Sequence, residues 1–169
     1  MQSFIPYGKQ TISNDDVNAV AKALNNNFLT TGPGVSLFEK EFSKKLNVKF
    51  SVSCNSGTSA IILALMAINL KKNENIVLPS INFIAAANIS KMIGAKIYFS
   101  DVDKKTGQMT PQKLEECIKK NKIKNLKVFF TMHNAGFNNY AKDFWKLRKK
   151  YKCYLIEDAC HALGAKNSK

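Results

Sequence analysis

The sequence predicts an α/β fold built on a mainly parallel sheet. Two observations carry that reading. Apolar runs of strand length alternate with segments of helical periodicity from about residue 50 to residue 157. The small, polar and chemically capable residues fall just after the apolar runs, where ligands bind in such sheets. Right-handed crossovers are then expected to cover both faces with helices.

The elements follow in order. Ser13, with Asp16 three residues on, has the spacing of a capping box and starts a helix with the apolar face Val17, Val20, Ala21 and Leu24. Three asparagines at 25–27 end it. Leu29-Thr30-Thr31-Gly32-Pro33-Gly34 is a loop rich in breakers. Val35, Phe38, Phe42 and Leu46 recur at helical spacing and predict a second helix. Thereafter we expect a strand over 50–54, a helix over 58–70, a strand over 76–78, a helix over 83–92 and a strand over 96–99. Pro111 opens a helix at its favoured first position, running to about Lys120. A strand over 127–131, a helix over 141–150 and a strand over 154–157 complete the pattern.

Composition narrows the function. With 169 residues, 45% of them apolar, the chain can bury a core of ordinary domain size. No stretch reaches the roughly 20 apolar residues of a membrane helix, and the opening residues lack the apolar core of a signal peptide. A cytoplasmic location is expected. The net charge is +14, yet Arg148 is the one arginine among 26 basic residues, and arginine makes most bidentate base and phosphate contacts. The lysines are scattered along the chain, so neither a nucleic acid nor a membrane is expected as partner. An anionic small molecule suits the charge equally well. Cys54, Cys117, Cys153 and Cys160 show no CxxC spacing, so no metal site is expected. They read as four reduced thiols, mostly in or near the core.

Three constellations carry chemistry. Asn55-Ser56-Gly57-Thr58-Ser59 lies between a predicted strand and an apolar helix. Backbone N–H groups at a helix start, with the helix dipole behind them, make a cup for a phosphate. The same residues equally serve as a plain N-cap by Ser56 or Thr58. Glu157-Asp158-Ala159-Cys160-His161 ends an apolar strand. A carboxylate buried there calls for a cationic partner, such as a protonated pyridine nitrogen. Asp158 as a helix N-cap and His161 as a structural histidine are the alternatives. Phe83 follows a predicted strand and either stacks on a flat ligand ring or packs as a core aromatic of the next helix.

Taken in order, these segments resemble one family. They are Leu29-Thr30-Thr31-Gly32-Pro33, Asn55 to Ala60, Pro79-Ser80-Ile81-Asn82-Phe83-Ile84-Ala85-Ala86-Ala87-Asn88, Gly94-Ala95 with Asp101-Val102-Asp103, and Glu157 to Ala165. The series resembles the DegT/DnrJ/EryC1/StrS sugar aminotransferases, over essentially the whole chain. The resemblance implies a three-layer, type I pyridoxal-phosphate (PLP) transferase large domain. It implies an N-terminal helix and substrate or dimer loop over 1–34 and an incomplete PLP-binding large domain over 35–169. Gly57, Thr58 and Ser59 would then hold the cofactor phosphate. Phe83 would stack on the pyridine ring, Asp158 would pair with its nitrogen, Cys160 would lie against its other face, and His161 would reach its phenolic oxygen. Thr30 and Thr31 would line the nucleotide-sugar site near a homodimer interface, and His133 would play a supporting part.

The opening Ile5-Pro6-Tyr7-Gly8-Lys9-Gln10, the stretch His133-Asn134-Ala135-Gly136 and the basic approach to the strand at 127–131 resemble a narrower branch. That branch acts on a UDP-linked 4-keto-6-deoxy-N-acetylhexosamine in pseudaminic-acid synthesis, with glutamate as amino donor. The family's cofactor-bearing lysine, its preceding serine-phenylalanine-histidine segment and its small domain are expected beyond residue 169. Lys166 and Lys169 stand too close to the Asp158 motif to replace that lysine. The chain alone is therefore not expected to transaminate. Two alternatives stay open on the residues present: a non-catalytic interaction fragment that pairs with a full-length homologue, and a PLP-dependent dehydratase relative in which the lysine is replaced.

Overall fold

The computed structural model describes residues 4, 9–137 and 140–166. The motif residues Ile5 to Gly8, and Lys169, lie outside them. The chain forms two compact units, one up to Ser53 and one from Cys54 onward.

The first unit holds α1 (Asn14–Leu24) and α2 (Pro33–Leu46). Ser13 caps α1 as its spacing predicts. The Ser13 hydroxyl accepts from the Asp16 N–H, and the Asp16 carboxylate accepts from the Ser13 N–H at 2.7 Å. Pro33 occupies the first turn of α2, where its missing N–H costs nothing. The strand expected over 50–54 does not form. A strand needs a partner to take its backbone groups, and here α2 supplies local substitutes. Glu39 Oε1 accepts from the Ser53 N–H at 2.8 Å and from its hydroxyl at 2.9 Å, and the Ser51 hydroxyl donates to the Glu39 carbonyl. The two bonds from Ser53 hold the Glu39 carboxyl below its ordinary pKa.

The second unit is a four-stranded, wholly parallel sheet between two helical layers. Its strands are β1 (Asn75–Pro79), β2 (Lys96–Ser100), β3 (Leu126–Met132) and β4 (Tyr154–Asp158). They lie in the order β2-β1-β3-β4. The helices α3 (Gly57–Ala67), α4 (Ala85–Ile93), α5 (Pro111–Lys120) and α6 (Ala141–Tyr151) each end just before a strand. This matches the alternation in the sequence element by element, apart from residues 50–54.

The central strands are apolar on both faces because both faces are covered. Ile76, Leu78, Val128 and Phe130 pack with Ile61 and Leu65 of α3 and with Ala85 and Ile89 of α4. Val77 and Phe129 pack on the other side with Leu114 and Ile118 of α5 and with Phe144 and Leu147 of α6. Phe129 and Phe144 meet with ring centroids 5.9 Å apart. The β1–β3 register slips between Asn75 and Ile76. A one-residue slip of this kind sends a side chain to the opposite face, and Leu126 duly joins the α5/α6 core while Val128 and Phe130 join the other.

Candidate functional site

All four strands point one way, so their carboxyl ends share one edge of the sheet. That edge carries Ser80 to Phe83 after β1, Asp101 after β2, His133 after β3 and Asp158 at the end of β4. The amino end of α3 meets this edge. Ser56 caps α3, its hydroxyl accepting from the Ser59 N–H at 3.2 Å, while the Ser59 hydroxyl donates to Asn55 Oδ1 at 2.6 Å. The cap reading is thus correct for Ser56 rather than Thr58, and it leaves the phosphate reading intact. A cap serves one first-turn donor, and the helix itself offers no partner to the Gly57 and Thr58 amides.

Asp158 ends β4 and is buried, and its main chain continues the ladder with β3, the carbonyl accepting from the His133 N–H at 3.0 Å. Its alternative as a helix N-cap is overturned, because a turn follows and no helix forms over 159–166. Asp158 Oδ1 accepts from the Cys160 N–H at 3.2 Å. The Asp158 carboxylate, together with burial, pushes the Cys160 thiol from its ordinary 9.0 up to about 11. Cys160 Sγ in turn stands 3.1 Å from where a Cβ on Gly57 would be. Gly57, Cys160 and Asp158 are therefore one cluster, a helix start and a carboxylate joined through Cys160, whose sulfur lies by Gly57 and whose N–H donates to Asp158. A Cβ at 57 would crowd that sulfur, which would have to give by a few tenths of an ångström, and no unusual backbone conformation is involved.

The other expected residues are placed as follows. Phe83 precedes α4 and is 68% exposed, so the core-aromatic alternative fails. Its N–H donates to Asn82 Oδ1 at 2.6 Å. Because β3 alone separates β1 from β4, the strand ends beneath Phe83 and Asp158 lie roughly 10 Å apart, two strand spacings. That span suits a flat ring. His161 is exposed, and its carbonyl oxygen lies 3.2 Å from the Cβ position of Gly136, which has φ +81°. Cys54 and Cys160 are exposed, and only Cys117 and Cys153 are buried, which corrects the expectation of mostly core thiols. Thr30 and Thr31 are exposed and belong to the first unit.

Three residues beyond the expected set share this edge. Glu157 Oε1 is 3.4 Å from Nε2 of the buried His133, an ion pair when the imidazole is protonated. The Asn82 Nδ2 and the Thr131 hydroxyl are buried without a hydrogen-bond partner. Their sequence signal was a polar residue at or just past the carboxyl end of an apolar strand, which does not tell a buried group from a solvated one. Among the described residues no cluster of His, Cys, Asp and Glu is arranged to hold a metal ion, and no helix is long and apolar enough to cross a membrane.

An anion-favouring helix start and a buried carboxylate on one rim ask for a ligand with an anionic and a cationic end. Similar proteins agree with that demand. A solved aminotransferase from Psychrobacter cryohalolentis is 28% identical with a TM-score of 0.83, over 94% of this chain and 40% of that one. NtdA from Bacillus subtilis, solved with its bound cofactor PMP, is 28% identical with a TM-score of 0.79, over 90% of this chain and 35% of that one. An uncharacterised protein of Methanocaldococcus jannaschii is 32% identical over 164 residues, 97% of this chain and 42% of the relative. The chain thus spans less than half the length of each. The profile of the DegT/DnrJ/EryC1/StrS aminotransferase family matches residues 10–169. The chain belongs to the DegT/DnrJ/EryC1/StrS aminotransferase family.

Proposed function

We propose that this chain is the cofactor-binding part of a PLP-dependent sugar aminotransferase. The observation that carries the reading is the cluster Gly57–Cys160–Asp158 at the carboxyl edge of the sheet. The residues fit the cofactor. The first-turn amides of α3, with Thr58 and Ser59, would take the phosphate, and the Asp158 carboxylate would take the pyridine N–H. Phe83 would cover one ring face and Cys160 the other, and His161 would reach the phenolic oxygen. Pyridoxal phosphate supplies the electron sink that lets an amino group move between an amino acid and a keto sugar. Asp158 would keep the ring nitrogen protonated, because its buried charge would be compensated only while that proton stays. Gly57 would let the phosphate approach the backbone, and the exposed ring of Phe83 would stack on the pyridine. The His133–Glu157 pair braces the strand ends that carry Asp158.

Beyond this, the resemblance supports a UDP-linked 4-keto-6-deoxy-hexosamine as amino acceptor and glutamate as donor, in pseudaminic-acid or surface-glycan synthesis. It supports a cytoplasmic homodimer, with 1–34 as helix and substrate or dimer loop, Thr30 and Thr31 on the sugar, and 35–169 as an incomplete PLP-binding large domain. The whole protein, carrying Asp158→Ala, should lose nearly all amino transfer. Wild-type rates in that variant would remove Asp158 from its role. The 169-residue chain alone should not turn over glutamate and keto sugar above a no-protein control.

A further inference from the structure

Lysines that look scattered in the sequence are gathered by the topology. Every strand is parallel, and α3, α4, α5 and α6 each return the chain to the amino edge of the sheet, opposite the Asp158 rim. Residues 111–152 hold twelve basic and three acidic residues, +9 of the chain's +14. Lys119, Lys120, Lys122 and Lys124 lead from α5 into β3, and Lys149 and Lys152 lead from α6 into β4. Because β3 and β4 pair from Val128 with Tyr154, their entries are neighbours and the six lysines share one patch. All six are exposed. The nearby acids are already used, Glu74 by Lys127 and Glu115 by Lys150, and among the described residues none of the six is ion-paired. Lysines in a last helical turn often serve only the helix dipole, but Lys122, Lys124 and Lys152 lie past the helix ends.

We propose that this edge is a docking surface for a membrane leaflet rich in anionic lipids, bound peripherally. Clusters of four to eight basic residues are the usual footprint of such lipids, and lysine serves there as a point charge without the fork geometry that nucleic acids favour. The same edge carries half-exposed Tyr154, under Lys127 at 5.7 Å, and the exposed Met92 near the end of α4. An aromatic with a polar tip and an apolar side chain suit the interfacial zone of a bilayer. Docked this way, the Asp158 rim faces away from the lipid and stays open to soluble ligands.

The test is co-sedimentation of the 169-residue chain with phosphatidylcholine vesicles, with and without phosphatidylglycerol. Binding is expected only with the anionic lipid, and it should vanish at high salt. Each neutralised lysine should lower the partition coefficient about five-fold, so Lys119→Gln with Lys149→Gln should lower it roughly 25-fold. Lys104→Gln with Lys105→Gln removes the same net charge after β2, at the opposite edge, and should change it less than about two-fold. An unchanged unfolding midpoint in both pairs excludes misfolding as the cause. No binding to anionic vesicles, equal losses from the two pairs, or tighter binding to an RNA homopolymer at the same salt would each overturn the proposal.

Discussion

The coupling of Cys160 to Asp158 can be read from thiol chemistry. With its pKa pushed from 9.0 to about 11, the Cys160 thiol at pH 8 is about one part in a thousand thiolate, against about one in ten for an unperturbed thiol. That hundred-fold deficit is partly offset, because a more basic thiolate is a better nucleophile, by about ten-fold over two units. Alkylation of Cys160 should therefore run about ten-fold slower than at an unperturbed thiol. Asp158→Asn removes the carboxylate, the largest cause of the shift, and leaves burial as the raising influence. The rate at Cys160 should then rise most of that ten-fold. The sign also sets the pH profile. Only the thiolate reacts, so the wild-type rate should climb about ten-fold per unit through pH 10 and level near 11. Iodoacetamide labelling, followed on the Cys160 peptide by mass spectrometry, measures both. A wild-type rate equal to that of Asp158→Asn, or a profile levelling near 9, would refute the influence of the carboxylate on the thiol.

Three stability predictions follow from packing and backbone. Leu65 is fully buried between α3 and the sheet, so Leu65→Ala should cost about 3 kcal/mol by urea denaturation; a loss under about 1 kcal/mol would mean that this face is not packed as described. The Thr131 hydroxyl is buried without a partner beside a cavity of about 10 Å³. Thr131→Val should thus be neutral or stabilising, and a loss above about 1 kcal/mol would show that the hydroxyl has a partner, such as an ordered water. Lys152 ends α6 in the left-handed conformation at φ 49°. Lys152→Gly should raise the unfolding free energy by about 0.5 kcal/mol, and a destabilised variant would contradict that backbone.

The fold was legible where local chemistry decides it. Pro111 preset the start of α5, and the short apolar runs of β1 and β3, bounded by turn residues, fit strands buried on both faces. Residues 50–54 misled because Phe50, Val52 and Cys54 alternate as a strand would, while the existence of a partner strand is not local information. The site residues were legible as separate strand-end motifs. That Gly57 lies close to Cys160, far along the chain, was not, because that approach depends on how α3 lies against β4. The exposure of Cys54 and Cys160 was hidden for the same reason. So was the lysine patch, since residues apart in sequence meet only once each helix has carried the chain back to the same edge.

The central claim is that the Gly57–Cys160–Asp158 edge binds a phosphorylated pyridine. Its most direct test is calorimetric titration of the purified chain with pyridoxamine phosphate, which cannot form imines with surface lysines. Saturable one-to-one binding, weakened at least about ten-fold by Asp158→Asn through loss of a charge-assisted hydrogen bond, is the predicted result. Absence of binding, or equal affinity in the wild type and the variant, would contradict the account.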